Sequence, residues 1–266
     1  MTTSVLKLAD GAELSVTIEG SGRDLVLVTG LGGTAGFWNP AVPDLAQHFR
    51  VIRFDQRGIG KSTRGTAAVD IARLARDTLD VLEHAQSQGA VLLGHSTGGV
   101  ILQELALQDT SRVAGLILSA TWPGRNRYMD ELFRARLAVL KVAPQQYAAL
   151  GSFLGYPPEF LDANWATLEN AVKGAPMSEA QQTVVTERIL ALLAFDRSSD
   201  VGNITLPTLI QGAEDDLIVP AYLQRQLAGL MPQATLKVLE NGGHFYPVSR
   251  TATFVETLIS WTKSNV

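Results

Sequence analysis

Apolar residues in this 266-residue chain follow two regimes, short continuous runs and longer stretches that repeat every three to four positions. The runs at 25–28, 50–54, 89–93, 113–118, 206–211 and 235–240 have the length and apolar content of buried strands. A hairpin, 5–8 and 13–18, precedes them and turns at Asp10-Gly11. Helical spacing fills 40–48, 71–86 and 99–108. Another helix follows Pro220, and an amphipathic one closes the chain at 251–262. Strand and helix in alternation predict an α/β fold, a mostly parallel eight-stranded sheet with helices on both faces. Between about 121 and 203 the alternation stops. The stretches 126–142, 144–154, 158–173 and 178–195 read as helices, separated by Pro144, Pro157-Pro158 and Pro176. The expected division is a core of 1–121 and 204–266 interrupted by a helical insertion, 122–203.

Composition narrows the picture. With 46% hydrophobic residues, the chain can bury one large core and an insertion besides. Its net charge of −4 offers no basic stripe, so a nucleic-acid partner is not expected. No apolar run reaches membrane-spanning length, and Met-Thr-Thr-Ser lacks the basic and apolar regions of a signal peptide. A cytoplasmic protein without a membrane partner is expected. There are no cysteines and only four scattered histidines, so neither disulfides, metal nor cofactor is expected. A small-molecule substrate is the expected partner, and homo-oligomerisation stays open.

The most informative stretch is 89–99, Gly-Ala-Val-Leu-Leu-Gly-His-Ser-Thr-Gly-Gly. A buried strand runs into Gly94-His95-Ser96-Thr97-Gly98, and helical spacing resumes with Ile101, Leu102 and Leu105. This is G-x-S-x-G in its strand-to-helix context, the turn that lifts a serine out of a sheet. A phosphate loop would need G-x-x-x-x-G-K-[ST], and no Lys follows Gly99. Ser96 is the candidate nucleophile.

A serine needs a base and an acid that orients the base. His48 reads as a surface residue and His84 as a solvated helix position. His95 adjoins the serine but points away from it in such a turn, and is expected to pack or hydrogen-bond beneath it. His244 follows the strand 235–240 and the loop Asn241-Gly242-Gly243, at a strand's carboxyl end, where open parallel sheets place their sites. His244 is the candidate base. After the strand 206–211, Gly212-Ala213-Glu214-Asp215-Asp216 supplies two candidate acids, Asp215 and Asp216, in the order Ser…Asp…His.

Almost from end to end the chain resembles the α/β-hydrolase superfamily. Thr29-Gly30-Leu31-Gly32-Gly33 stands where that family has His-Gly and an oxyanion-hole amide, with Thr29 in place of the His. Asp55-Gln56-Arg57-Gly58-Ile59-Gly60-Lys61-Ser62 matches its D-x-R-G-x-G-x-S loop, which implies a structural role. The resemblance implies oxyanion donors at the Leu31 and Thr97 amides. It also favours Asp216, nine residues after Pro207 and four before Pro220, whereas counting on from Gly212 favours Asp215. Two anchors outweigh one, so Asp216 is the expected acid and Asp215 is expected to form the turn. The insertion resembles the helical cap of small-molecule members.

Gly30–Gly33, Asp55–Gly58 and Gly242–His244 look like the aminoacrylate hydrolases of pyrimidine breakdown and the 3-oxoadipate enol-lactonases. The aminoacrylate type carries Ala where Ser96 stands. Enol-lactonases carry an acidic residue shortly after the histidine, where this chain has Val248-Ser249-Arg250. The implied activity is a serine hydrolase cleaving a small ester, lactone or related acyl substrate through an acyl-enzyme. A ligand receptor on the same fold, with negligible turnover, is one alternative. A carbon–carbon bond hydrolase is the other, although such enzymes carry Trp where Phe245 stands. Most of the insertion's apolar residues, spread from Leu132 to Phe195, should seal it to itself and to the core. Some should line a pocket over Ser96, with Phe37, Trp38 and Trp122 at its rim. Of the arginines 125, 127, 134, 136 and 188, one could capture a substrate carboxylate. Arg125 and Arg127 are expected first, being nearest in sequence to the strand that ends at Ser119.

Overall fold

The computed structural model describes residues 1–266. Eight strands form one sheet: β1 Thr2–Lys7, β2 Glu13–Gly20, β3 Arg23–Val28, β4 Phe49–Phe54, β5 Ala90–His95, β6 Val113–Ser119, β7 Thr208–Ala213 and β8 Thr235–Leu239. Their order is β1-β2-β4-β3-β5-β6-β7-β8. β2 runs antiparallel to both neighbours, and every pair from β4 to β8 is parallel. The expected α/β architecture is the one observed.

Helices α1 Val42–Leu45, α2 Ile71–His84, α3 Thr97–Gln108, α9 Ala221–Leu230, α10 Tyr246–Ser249 and α11 Thr251–Asn265 accompany the sheet. Successive residues of a strand point to opposite faces, and the central strands are apolar at both. Val26, Val28, Leu92, Leu116 and Ile210 enter the larger core cluster, against α2, α3 and α9. Leu25, Leu27, Val91, Leu93 and Ile117 enter the smaller one with Phe254 and Leu258 of α11. Continuous apolar runs therefore reflect a sheet covered on both sides.

Between β6 and β7 lie α4 Arg127–Val142, α5 Pro144–Gly155, α6 Pro158–Ala163, α7 Ala166–Lys173 and α8 Glu179–Ala194. Caps set several of their limits. Asn126 accepts from the Tyr128 and Met129 amides, and Ser178 with Gln181 forms a capping box. The expected single helix 158–173 is two, because Asn164 leaves helical geometry (φ −131°, ψ 48°) and its side-chain Nδ2 donates to the Phe160 carbonyl. The expected helix 40–48 shrinks to α1, preceded by a 3-10 turn at Ala35–Trp38. β1 starts earlier than expected, since Thr2–Ser4 pair with Val16–Ile18.

Candidate active site

Strand β5 ends at His95 and α3 begins at Thr97, leaving Ser96 alone between them with φ 57° and ψ −121°. A residue with a Cβ is strained there, at a cost of about 1–3 kcal/mol that the surrounding packing must offset. The flanking glycines make the turn feasible. A Cβ on Gly94 would stand 2.3 Å from the Gly98 carbonyl oxygen, and one on Gly98 would stand 2.2 Å from that of Val28. Ser96 is 5% exposed and lines a cavity of about 260 Å³.

His244 lines the same cavity. Its loop is built from behind by Asp215, whose carboxylate accepts from the Gly242 amide at 3.1 Å and the Gly243 amide at 2.8 Å. Both glycines have positive φ, 137° and 66°. The imidazole itself meets Asp216, with Nδ1 2.8 Å from Oδ2 and both side chains buried. The other Asp216 oxygen accepts from the Ile218 and Val219 amides, each at 2.8 Å. The two neighbouring carboxylates thus have separate partners, the loop backbone for Asp215 and the ring for Asp216.

Leu31 also lines the cavity, and its amide donates to no protein acceptor. The Thr97 amide opens α3, where a helix has no acceptor of its own to offer. The loop that carries Leu31 is held by Thr29 Oγ1, which donates to the Gly33 carbonyl at 2.8 Å. Asp55 accepts from the Ala35 and Lys61 amides. Arg57 is buried between Asp77 and Asp10. Neither Asp55 nor Arg57 reaches the cavity.

His95 packs and hydrogen-bonds beneath the turn, and it also reaches the cavity wall. Its Nδ1 lies 3.0 Å from Ser119 Oγ, which in turn bonds the Tyr246 hydroxyl. Its ring stacks on Phe37 and lies 4.8 Å from that of His244, at the cavity wall. Burial drives its pKa well below 6.5, and the nearby charge of His244 adds to the shift.

The expected rim needs correcting, because none of Trp38, Trp122, Arg125 and Arg127 lines the cavity. Trp38 is buried in the α11-side core, stacked on Phe254, while its neighbour Phe37 faces the site. Trp122 packs in the other core cluster. Arg125 is exposed and paired with Asp130, and Arg127 is exposed at the start of α4. Closeness in sequence to β6 is not closeness to the cavity. The arginine that does line it is Arg136, nine residues further along α4 and roughly 13 Å along the helix axis from Arg127. Phe133, one turn before it, and Tyr147 of α5 supply the wall on this side, two of the many apolar residues between Leu132 and Phe195. The Arg136 guanidinium lies 5.3 Å from the centre of the Phe133 ring and 4.8 Å from that of Tyr147. Its Nε is buried with no partner, and no other Arg, Lys, Asp or Glu lines the cavity. The i, i+3 relation of Phe133 and Arg136 was a signal for this wall, since such residues share a helix face. Ile218 and Phe245 complete the apolar lining and had no signal of their own.

No group of three or more His, Asp or Glu side chains is placed to hold a metal ion, and no helix is long and apolar enough to cross a membrane. Comparison with known proteins gives a consistent result. Residues 25–249 match the model of the alpha/beta hydrolase fold family. A protein named "Putative carbamate hydrolase RutD" from Azorhizobium caulinodans is 33% identical over 251 residues, 94% of this chain and 95% of that one. The crystal structure of a hydrolase from Pseudomonas aeruginosa PA01 superposes with a TM-score of 0.87 at 27% identity, covering 98% of each chain. The enol-lactonase from Burkholderia xenovorans LB400 has a TM-score of 0.84 at 22% identity, covering 95% of this chain and 97% of that one, a likeness of fold.

Proposed function

The chain belongs to the alpha/beta hydrolase family, and we propose that it is a serine hydrolase acting on a small ester, lactone or related acyl substrate. One observation carries this reading. A serine held at φ 57° opens on the same cavity as a histidine whose far nitrogen is bonded to a buried carboxylate. Ser96 Oγ attacks the carbonyl carbon and His244 Nε2 takes its proton. Asp216 fixes the ring's tautomer and stabilises the imidazolium. Negative charge developing on the carbonyl oxygen is received by the Leu31 and Thr97 amides, the latter at the positive end of α3. The imidazolium then protonates the leaving oxygen. Water, deprotonated by the same ring, attacks the acyl-enzyme and frees Ser96.

Residues 122–203 act as the cap over a core of 1–121 and 204–266. They supply Phe133, Arg136 and Tyr147 to the wall. A cavity of about 260 Å³ fits a small acyl group better than a lipid chain. Arg136 is the lone permanent charge on an otherwise mainly apolar wall, so an acyl substrate ending in a carboxylate is the best complement.

Ser96→Ala tests the reading. Hydrolysis of p-nitrophenyl acetate should fall by about 10⁶ in kcat with the thermal midpoint retained. A variant still working within a few-fold of the parent would remove Ser96 as nucleophile.

A further inference from the structure

Two arginines in this chain are fully buried, Arg57 and Arg188, and they are held in different ways. Arg57 sits between two carboxylates. Arg188, on α8, meets none. Its Nε donates to the Leu31 carbonyl at 2.7 Å and its Nη2 donates to Gln56 Oε1, while its Nη1 is buried without a partner. The Gln56 amide passes the contact on, donating to the Thr29 carbonyl at 2.7 Å. Burial lowers the Arg188 pKa to about 10, which leaves it charged at neutral pH. A buried charge is expensive unless polar groups compensate it. Here the compensation comes from the segment Thr29–Gly33, directly and through Gln56.

That segment needs holding. Three of its five residues are glycine, with little intrinsic stiffness. Thr29 Oγ1 closes it on one side by bonding the Gly33 carbonyl. The only side-chain contact on the Leu31 backbone is the guanidinium of Arg188. Leu31 carries its carbonyl and its amide on the same Cα, so fixing one direction restricts the other. The cavity lining includes Leu31 but not Arg188, which reaches the loop from behind.

We propose that Arg188 is a positioning residue. It clamps the Leu31 carbonyl from α8 so that the Leu31 amide is aimed at the reacting carbonyl oxygen before the reaction begins. The inference rests on the reading of Leu31 as an oxyanion donor. A donor aimed in advance needs no reorganisation as charge develops, and this gives such donors their catalytic weight. Because the clamp comes from the insertion, the oxyanion loop is complete only while α8 is seated on the core.

Arg188→Met, which keeps the stem and removes the donors, and Arg188→Lys, which keeps the charge, provide the test with p-nitrophenyl acetate. Arg188→Met should lose about 10²-fold in kcat with KM within about threefold of the parent, as for a mispositioned catalytic group. Phenylboronic acid, whose tetrahedral serine adduct places an oxygen at the same donors, should bind more weakly by the same factor. Arg188→Lys should recover about tenfold of the loss. A folded Arg188→Met with parental kcat, or with a change in KM alone, overturns the inference. Where Arg188→Met does not fold, Arg188→Lys decides. A tenfold fall in kcat matched by weaker boronate binding supports the clamp, and parental values for both overturn it. Ser96→Ala separates the two claims. If it stays active, the serine-hydrolase reading fails; if it is inactive while the Arg188 variants match the parent, the clamp alone fails.

Discussion

Asp216 Oδ2 lies 2.8 Å from Nδ1 of His244, while Asp216 Oδ1 is held by the Ile218 and Val219 amides. The carboxylate cannot rotate without breaking those bonds, so the imidazole is presented to the cavity in one orientation, with Nε2 forward. Asp216→Asn offers the ring an amide and favours the wrong tautomer. A fall of about 10⁴ in kcat is expected. Asp215→Asn keeps an oxygen for one of the Gly242 and Gly243 amides, does not touch the ring, and should cost less than about tenfold. Steady-state kinetics of the two variants provide the check, and the opposite ranking would transfer the acid's role to Asp215.

The unpaired guanidinium of Arg136 should discriminate between substrates by charge. A hydrogen bond to a charged group contributes about 1.5–3 kcal/mol, or roughly 10- to 100-fold in binding. In Arg136→Met, KM for mono-p-nitrophenyl succinate should rise by that factor. The near-isosteric p-nitrophenyl butyrate should be affected little, and kcat should hold for both, as when a contact equally strong in ground and transition states is lost. Equal changes in KM for the two esters would remove Arg136 as a carboxylate anchor.

His95 ties stability to pH. Its folded pKa lies well below 6.5 because burial disfavours the imidazolium. The unfolded chain therefore binds a proton that the folded chain refuses. This contribution to stability is fully present above pH 6.5 and is lost as pH falls below it, at up to about 1.4 kcal/mol per pH unit. Urea unfolding between pH 8 and 5 should show the parent losing stability more steeply than His95→Asn. Parallel profiles for the two proteins would contradict it.

Arg57 pairs with Asp77 through two 2.8 Å bonds, its side chain wholly buried, and also reaches Asp10 in the β1–β2 turn. Arg57→Met would leave Asp77, itself 2% exposed, with only the partly exposed Arg73. Breaking such a pair on one side costs about 3–5 kcal/mol. Denaturant unfolding should register that loss, while the folded fraction keeps most of its kcat, because Arg57 does not touch the cavity. A stability change under about 1 kcal/mol would refute the structural role.

By itself, the sequence determined what short-range chemistry determines. Apolar runs of strand length and helical spacing in alternation gave the α/β class, because burial on both faces of a sheet leaves a mark on every strand. The glycines around Ser96 were legible for a similar reason, since a Cβ on Gly94 or Gly98 would stand within 2.3 Å of a carbonyl oxygen. His244 stood out because it follows a strand end. Tertiary structure decided what depends on direction. Of two adjacent aromatic candidates, Phe37 faces the cavity while Trp38 goes to the core, although both carry similar hydrophobic weight in the sequence. Asp215 and Asp216 are likewise adjacent acids, separated only by which way the chain turns after β7. Among the six arginines of residues 122–203, Arg125 and Arg127 stay in solvent and Arg136 enters the cavity wall, while Arg188 is buried behind the Thr29–Gly33 loop. Those fates follow from how α4 and α8 pack on the core, through contacts between residues more than a hundred positions apart, such as Leu31 and Arg188. No local pattern encodes such a contact, because its energy exists only once both partners have been brought together.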